Sequence, residues 1–412
     1  MNTRLQLSYY HNTTPMKNHT FHTSTIKISV ISIILIILFP TSSLAIPAFA
    51  RKYQISCQVC HAPALPRLKA FGEEFAAKGF RMTDYESPRY FIQTGDDKLS
   101  LFRELPVAIR LDGHVMYNHD TKGKADFTSP YVIKLLSGGE LSDKISYYFY
   151  FLMNEGGSIV GIEDAFLMFS DVFNTGINFY IGQFQASDPM FKSELRYTLE
   201  PYRVYGTTPG TSSANLKYER GIMLEKSFST GTTLQLEILN GCGIEEKEFD
   251  TDKHKNYLFR FSQALGEKLT LGGFYYGGKE DKNIPFGFTN NLKMFGPDLK
   301  LNFDDKFIVN MQYIFRRDSR IYDDVYSDVL DNVKTDGFIG EVIFSPKGDQ
   351  SKWYLTGLFN YTNSNIMSLD YASGTLHAGY LVRRNLRLVT EYTYQFEGPG
   401  FGRLSAGFVS AF

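Results

Sequence analysis

Cysteine is almost absent from this chain, with three residues in 412. Cys57 and Cys60 lie close together, whereas Cys242 stands alone between Gly241 and Gly243. A structural zinc site needs further ligands at paired spacing, and one isolated cysteine does not supply them. The scarcity of cysteine therefore directs attention to the single pair.

Excess charge of either sign is also absent. The chain has 43 Lys and Arg against 44 Asp and Glu, and without its first 45 residues the balance is 40 minus 44, or -4. This balance excludes a general polyanion-binding surface and the usual basic footprint for nucleic acid. A single Trp contrasts with 27 Tyr and 35 Phe, an aromatic content typical of pleated strands and membrane interfaces.

Long apolar runs are missing except near the start, where residues 28–39 are apolar apart from two serines. Lys17 and Lys27 precede this run, and Ala45 ends a small-x-small cleavage site after it. The run is too short for a stable bilayer-spanning helix, which needs about 20 residues. We therefore predict a secretory signal peptide over residues 1–45, with Met16 as an alternative start.

The cysteine pair belongs to a C-x-x-C-H motif over residues 57–61. In c-type haem attachment the two thiols bond the porphyrin vinyl groups, and the adjacent His ligates the iron. The alternatives are a redox dithiol, which should lie beside a βαβ pattern, and half of a zinc site, which needs further ligands. The motif therefore predicts one haem c bound covalently to Cys57 and Cys60, with His61 as the proximal iron ligand.

After residue 100 the chain alternates apolar and polar residues with a period of two, which predicts β-strands. Similar segments recur as far as Phe412. The apolar face of the first segment comprises Val107, Ile109, Leu111, Val115 and Tyr117, and its polar face comprises Arg110, Asp112, His114 and Met116.

Connections between these strands alternate in length, and this alternation predicts the architecture. Short turns such as residues 265–268 and 383–385 alternate with longer polar loops such as residues 118–129, 184–214 and 317–335. Short turns on one rim and long loops on the other describe an up-and-down outer-membrane barrel. We predict an all-β fold, with about sixteen antiparallel strands over residues 101–412. The alternative, a soluble β-sandwich or periplasmic β-domain, is disfavoured by the unbroken alternation and the aromatic last strand.

One helix is predicted between the motif and the barrel. Pro66 lies near its start, Leu68, Phe71 and Phe75 recur on one face, and Gly79 follows as a stop signal. This face would pack against haem or the barrel mouth. A polar tether over residues 82–101 follows, so residues 46–100 form a monohaem cytochrome c segment with its tether.

The segment around the motif resembles a known family. Residues 46–53 (IPAFARKY), residues 56–61 (SCQVCH), and the later Pro66, Phe71-Gly72 and Gly79-Phe80 look like the fused cytochrome-porins of iron-oxidising bacteria. The resemblance is specific over residues 46–80 and architectural over residues 100–412. It implies one N-terminal c-type haem joined to a barrel of about this size. In that family the haem accepts electrons from extracellular ferrous iron.

The sixth iron ligand stays open between two residues. His or Met completes a low-spin electron-transfer haem. Met82 is close to the motif on the tether, and His114 lies on the predicted lumen face of the first strand. Both remain candidates.

Two functional classes follow. The first is an outer-membrane electron conduit between an extracellular donor, with Fe(II) the donor that the resemblance implies, and a periplasmic cytochrome. The second is a transport porin whose haem plug is structural or sensory. Both place the N-terminal segment in the periplasm or the barrel lumen. A haem peroxidase is the weakest reading, because no distal His and Arg pair is evident.

Carboxylates in residues 184–214 and 240–255 either attract Fe(II) transiently or simply keep the outer surface solvated.

Overall fold

The structure, a computed structural model, describes residues 48–82, 91–92, 95, 98–99, 101–102, 106–119, 124–155, 158, 161–187, 190–244, 250, 252–282, 287–323, 325, 327–397 and 400–412. The predicted signal peptide and most of the predicted tether lie outside these residues. Ile46–Phe412 form one compact unit. Among the described residues no helix is long and apolar enough to cross a membrane.

Sixteen antiparallel strands form one closed barrel, and a separate two-stranded ribbon, β1 (Phe91–Ile92) and β2 (Leu101–Phe102), precedes it. Each barrel strand pairs with its neighbours in sequence, and the last strand pairs with the first. The barrel strands are β3 (Val107–His119), β4 (Lys124–Ser142), β5 (Ile145–Glu155), β6 (Gly161–Val172), β7 (Ile177–Gln185), β8 (Tyr218–Ser227), β9 (Thr232–Leu239), β10 (Asn256–Leu265), β11 (Leu269–Lys282), β12 (Phe288–Phe303), β13 (Phe307–Asp323), β14 (Asp328–Phe344), β15 (Trp353–Ser364), β16 (Tyr371–Arg383), β17 (Leu386–Gln395) and β18 (Phe401–Ala411).

Closure depends on the end of the chain. Strand β18 runs antiparallel to β3, with Leu404 opposite Tyr117. The Phe412 amide donates to the Ile109 carbonyl at 2.8 Å, and the Ile109 amide donates to the Phe412 carbonyl at 2.6 Å. A closed sheet has no free edge, whereas a sandwich has several. The predicted barrel of about sixteen strands is therefore confirmed, and the sandwich alternative was wrong.

The two faces of the barrel wall differ as the alternation predicts. On β3, Val115 and Tyr117 are 45% and 41% exposed on the outside, whereas Asp112 and His114 are 1% and 3% exposed on the inside. The same pattern of exposed apolar residues and buried polar residues continues around the barrel. An outward apolar surface with a polar interior is the pattern of a barrel that spans the outer membrane.

Several predicted loops are in fact strand. β3 extends to His119 and β4 begins at Lys124, while β13 extends to Asp323 and β14 begins at Asp328. At the rim opposite the short turns, polar residues continue the hydrogen-bond ladder of the strands beyond the apolar band. A loss of hydrophobicity along the sequence therefore does not mark the end of a strand. The predicted parity of the rims is retained, because the opposite rim consists of short turns such as the one between Leu265 and Leu269.

One predicted outer loop folds into the barrel. The inner loop, residues 186–217, connects β7 to β8 and contributes buried residues to the lumen, including Tyr202, Tyr205 and Ala214. The Tyr205 hydroxyl donates to the Gln312 side chain on β13. Residues 184–214 are therefore not the solvated surface loop that their polarity predicts.

The N-terminal residues 48–82, which we call the plug segment, lie inside the barrel toward the rim of short turns. Lys52 pairs with Glu140 at 3.1 Å, and Lys69 pairs with Asp349 at 3.2 Å. Both acidic residues lie at or beside short turns that follow β4 and β14. The plug segment therefore lies at the short-turn mouth of the lumen.

Two short helices shape the plug segment, Ala48–Tyr53 and Ala70–Ala77. The second begins four residues after Pro66, later than predicted. The residues just before it run back along the motif, where Leu68 is bridged to His61 and the Lys69 amide donates to the Cys60 carbonyl. Gly79 ends the second helix as predicted. Its φ of +72° suits glycine, and the next amide, of Phe80, bonds back to the Phe75 carbonyl.

Candidate functional site

The C-x-x-C-H motif folds as one tight turn. Cys57–Val59 form a 3-10 helix, and the His61 amide donates to the Cys57 carbonyl at 2.9 Å. Cys57 and Cys60 are free thiols that are not joined to each other. Burial raises the pKa of both thiols, so both are protonated at neutral pH. The turn therefore presents two reduced sulfur atoms from one small segment, as covalent attachment to one porphyrin edge requires.

The His61 ring is oriented by two backbone carbonyls. Its Nδ1 lies 3.1 Å from the Pro66 oxygen and 3.0 Å from the Arg67 oxygen. Because carbonyls only accept, Nδ1 carries the proton and Nε2 keeps its lone pair. Burial lowers the pKa of His61 to about 4, against the opposing effect of these bonds. A neutral imidazole whose second nitrogen is fixed by a carbonyl is the form in which His ligates a metal.

An apolar cluster surrounds the motif turn. Its buried members Tyr53, Cys60 and Phe75 are packed by half-buried neighbours that include Met82. The ring centroids of Tyr53 and Phe75 are 5.5 Å apart in an edge-to-face arrangement. The other half-buried members are Phe49, Ile55, Val59, Leu68 and Phe80. The chain thus brings the predicted ligand Met82 into the same cluster as the motif, and the thiols, imidazole and apolar surroundings together fit a c-type haem.

A buried ion pair holds the plug segment to the barrel wall. Arg67 Nη1 lies 3.1 Å from Glu341 Oε2 on β14, and both side chains are largely or fully buried. Glu341 also accepts from the Tyr202 hydroxyl at 2.8 Å and from the Asn310 amide at 2.7 Å. The carboxylate is therefore satisfied from the plug segment, the inner loop and the wall. The sequence analysis did not predict this pair. Glu341 lies on the same face of β14 as the apolar Ile339 and Ile343, and an acid in such a row indicates a buried partner.

The inner loop contacts the plug segment beside the motif. The Tyr197 hydroxyl donates to the carbonyls of Ala62, at 3.0 Å, and Ala64, at 3.1 Å. Its ring packs on Tyr354 of β15, with centroids 4.3 Å apart. These contacts fix the chain immediately after His61, and no local pattern in the sequence indicated them.

The second predicted ligand, His114, lies elsewhere. It lines a cavity of about 40 Å³ with His377, Tyr131 and several charged residues, and no residue of the motif lines that cavity. Neither ring nitrogen of His114 has a hydrogen-bond partner within the described part of the chain. His377 Nδ1 lies 3.1 Å from Glu391 Oε2. A polar cavity of this size has room for a few water molecules.

The predicted donor-contact carboxylates are divided between two surroundings. Glu194 is paired with Lys134 at 2.8 Å, and Glu200 is paired with Arg403 at 3.2 Å, both inside the barrel. Most acidic residues of the loop over residues 240–255 lie outside the described residues. In the described ranges, no group of three or more His, Cys, Asp or Glu side chains is placed to hold a metal ion.

The fold is that of a porin-type outer-membrane barrel, and comparison with solved structures agrees. OmpF of Salmonella typhi, solved with daunomycin, matches with a TM-score of 0.55 and 10% identity over 75% of this chain and 97% of its own. OmpT of Vibrio cholerae matches with a TM-score of 0.52 and 11% identity over 75% of this chain and 99% of its own. An anion-selective porin from Comamonas acidovorans matches with a TM-score of 0.51 and 11% identity over the same shares of the two chains. Such identities show the fold alone. No family model matches the chain, and no curated protein matches it significantly.

Proposed function

We propose that Cys57 and Cys60 hold one haem c covalently, with His61 as its proximal iron ligand. The observation that carries this proposal is the pair of carbonyl contacts to His61 Nδ1, which leaves Nε2 free for a metal. The two free thiols on the same turn supply the attachment points. When bound, the haem would supply a one-electron redox centre at this end of the lumen.

For the distal ligand, the proposal favours Met82 over His114. Met82 packs in the apolar cluster that contains Cys60. His114 lines a separate polar cavity in which no motif residue takes part. A thioether ligand also generally raises the reduction potential relative to a second imidazole.

The chemistry of the plug segment supports an outer-membrane electron conduit as the function. The lumen is occupied by the plug segment and the inner loop, which are joined to each other and to the wall by Arg67, Tyr197 and Glu341. These contacts hold the motif turn inside the lumen rather than free in solution. In the proposed function, electrons pass between an extracellular donor, for which Fe(II) is the first to test, and a periplasmic cytochrome.

Sealed liposomes that contain the purified protein test this function. Fe(II) added outside should reduce the haem, which the visible absorption spectrum reports, and should reduce cytochrome c enclosed inside. His61→Ala, compared at equal barrel content, should abolish both signals. If neither Fe(II) nor stronger external reductants reduce enclosed cytochrome c through the wild-type protein, the conduit proposal fails.

The second candidate is a transport porin in which the plug segment is structural or sensory. The comparisons favour it more directly, because the solved structures that the barrel resembles include porins. In this case the plug segment would have to leave the short-turn mouth to admit solutes. Swelling of the same liposomes in small sugars measures that passage. Rapid swelling without electron transfer would establish the porin function in place of the conduit.

A further inference from the structure

A broad groove lies on the outside of the barrel. It measures about 920 Å³ and lies against strands β10–β14 near the rim opposite the short turns. Of the described residues that line it, six are Lys or Arg, and Asp318 is the single acid. We call it the basic groove, and its defining residues are Lys255, Lys279, Lys293, Arg317 and Lys334.

The basic groove is at the upper margin of the lipid-facing band. Tyr257 lies two residues from Lys255 in the direction of the short turns and is 52% exposed. Tyr275 of β11 lies diagonally across from it, opposite Phe259, and is 50% exposed. In the same way Phe295 follows Lys293, and both point outward on β12. A ring of aromatic residues marks a membrane interface in barrels of this kind. The basic groove is therefore at headgroup level rather than in open solvent or the hydrocarbon.

The cations of the basic groove face one another in the sheet. Lys293 is the direct partner of Arg317 on β13, and Arg317 is the direct partner of Lys334 on β14. Like charges directly opposite on neighbouring strands destabilise a sheet. Arg317 is compensated in part by Asp336, with an N–O distance of 2.5 Å. Lys255 is paired with Asp250. Within the described part of the chain, Lys279, Lys293 and Lys334 have no ion-pair partner, so an anion from outside the chain would offset their charge.

We propose that the basic groove binds a phosphate-bearing glycolipid of the outer leaflet. The phosphates would lie between the lysine side chains, and the acyl chains would run down the wall over Tyr257, Tyr275 and Phe295. Clustered basic residues at a membrane surface attract anionic headgroups in this way. A free anion accounts for the charge row but not for the aromatic surface directly below it.

Binding of bis-phosphorylated lipid A to the purified full-length protein in neutral detergent tests the proposal. The variant Lys279→Gln/Lys293→Gln/Lys334→Gln should lose affinity about fivefold for each lysine removed, because each contributes about one kcal/mol at a charged surface. Lys226→Gln is the matched control, since Lys226 also lies on the outer wall but near the short turns, with Nζ 5.2 Å from the Phe228 ring centroid. The control should bind like the wild type.

Three comparisons distinguish the sources of anion and exclude misfolding. Dephosphorylated lipid A should bind weakly, and inorganic phosphate should not displace the lipid at matched phosphate concentration. Heat-dependent gel mobility checks that each variant retains the closed barrel. Equal lipid binding by the folded triple variant and the wild type would overturn the proposal. So would displacement by inorganic phosphate, or a change in oligomeric state as the only effect of the triple variant.

Discussion

At the scale of single residues, the motif and its surroundings differ in how readily they can be read. The spacing of Cys57, Cys60 and His61 is local, so the sequence alone predicts the attachment chemistry. The carbonyls of Pro66 and Arg67 that orient His61 come from the chain's return past the motif. Their role depends on backbone geometry that any residue type supplies, and for this reason no sequence pattern revealed it.

Covalent attachment should depend on both motif cysteines. Cys57→Ser and Cys60→Ser each lose one thioether bond, so we expect acid to extract more haem from either variant than from the wild type. The double variant should show no haem stain on a denaturing gel. Cys242→Ser is the matched control, because Cys242 is also a cysteine outside any disulfide but lies far from the motif in sequence. Full haem staining in the double variant would contradict the assignment.

The distal ligand can be tested by comparing two alanine variants. Met82→Ala should change the spin state and lower the reduction potential, because the thioether is lost while His61 and both thiols remain. His114→Ala should leave the visible spectrum unchanged, because His114 lines a cavity apart from the motif. Spectroelectrochemical titration of the two proteins measures this difference. The reverse result would assign the ligand to His114.

At the scale of elements, the buried ion pair of Arg67 with Glu341 joins the plug segment to the barrel wall. Removing one partner of such a pair leaves the other charge buried and uncompensated, at a cost of about 3–5 kcal/mol. Glu341 has no exposed surface, and Arg67 has little. The pair therefore has a larger effect than the more exposed pairs at the mouth, Lys69 with Asp349 and Lys300 with Glu73, which contribute at most about 1 kcal/mol each.

Arg67→Met should loosen the plug segment without opening the barrel. We expect trypsin to cut within residues 48–82 roughly a hundredfold faster, since about 3 kcal/mol of docking energy is lost. Lys78→Met is the control. It also removes one trypsin site, but its partner Glu74 is largely exposed, so the pair contributes little. Equal cleavage of the two variants would show that the Arg67 pair does not anchor the segment.

The elements also show where prediction from sequence stops. The helix end at Gly79 and the strand periodicity depend on neighbours in the chain, and both were predicted correctly. The inward course of residues 186–217 depends on partners more than 100 residues away, such as Gln312 for Tyr205 and Tyr371 for Glu200. Polar residues in that loop look the same whether water or a polar lumen surrounds them. The loop was therefore predicted to be a solvated loop at the long-loop rim, whereas it folds into the lumen.

At the scale of the whole molecule, alternation is sufficient to predict the barrel because each wall residue has only two environments. A one-residue shift in register would place the Asp112 and His114 side chains in lipid, so the pattern fixes both the strands and their inward face. The filling of the lumen is not encoded in this way. It comes from the plug segment and the inner loop, whose contacts join distant parts of the chain.

The final prediction concerns the orientation of the barrel in the membrane. Bacterial barrels keep their short turns in the periplasm, so the plug segment should face the periplasm and the basic groove should face the outer leaflet. Val325, which is 69% exposed between β13 and β14, is a suitable site for an epitope at the outer rim. Asn385, in the turn between β16 and β17, is the matched site at the inner rim. Antibody should label intact cells only for the Val325 insertion, whereas both insertions should be labelled after the outer membrane is permeabilised. Labelling of intact cells only at Asn385 would invert the topology and, with it, the direction from which a donor reaches the haem segment.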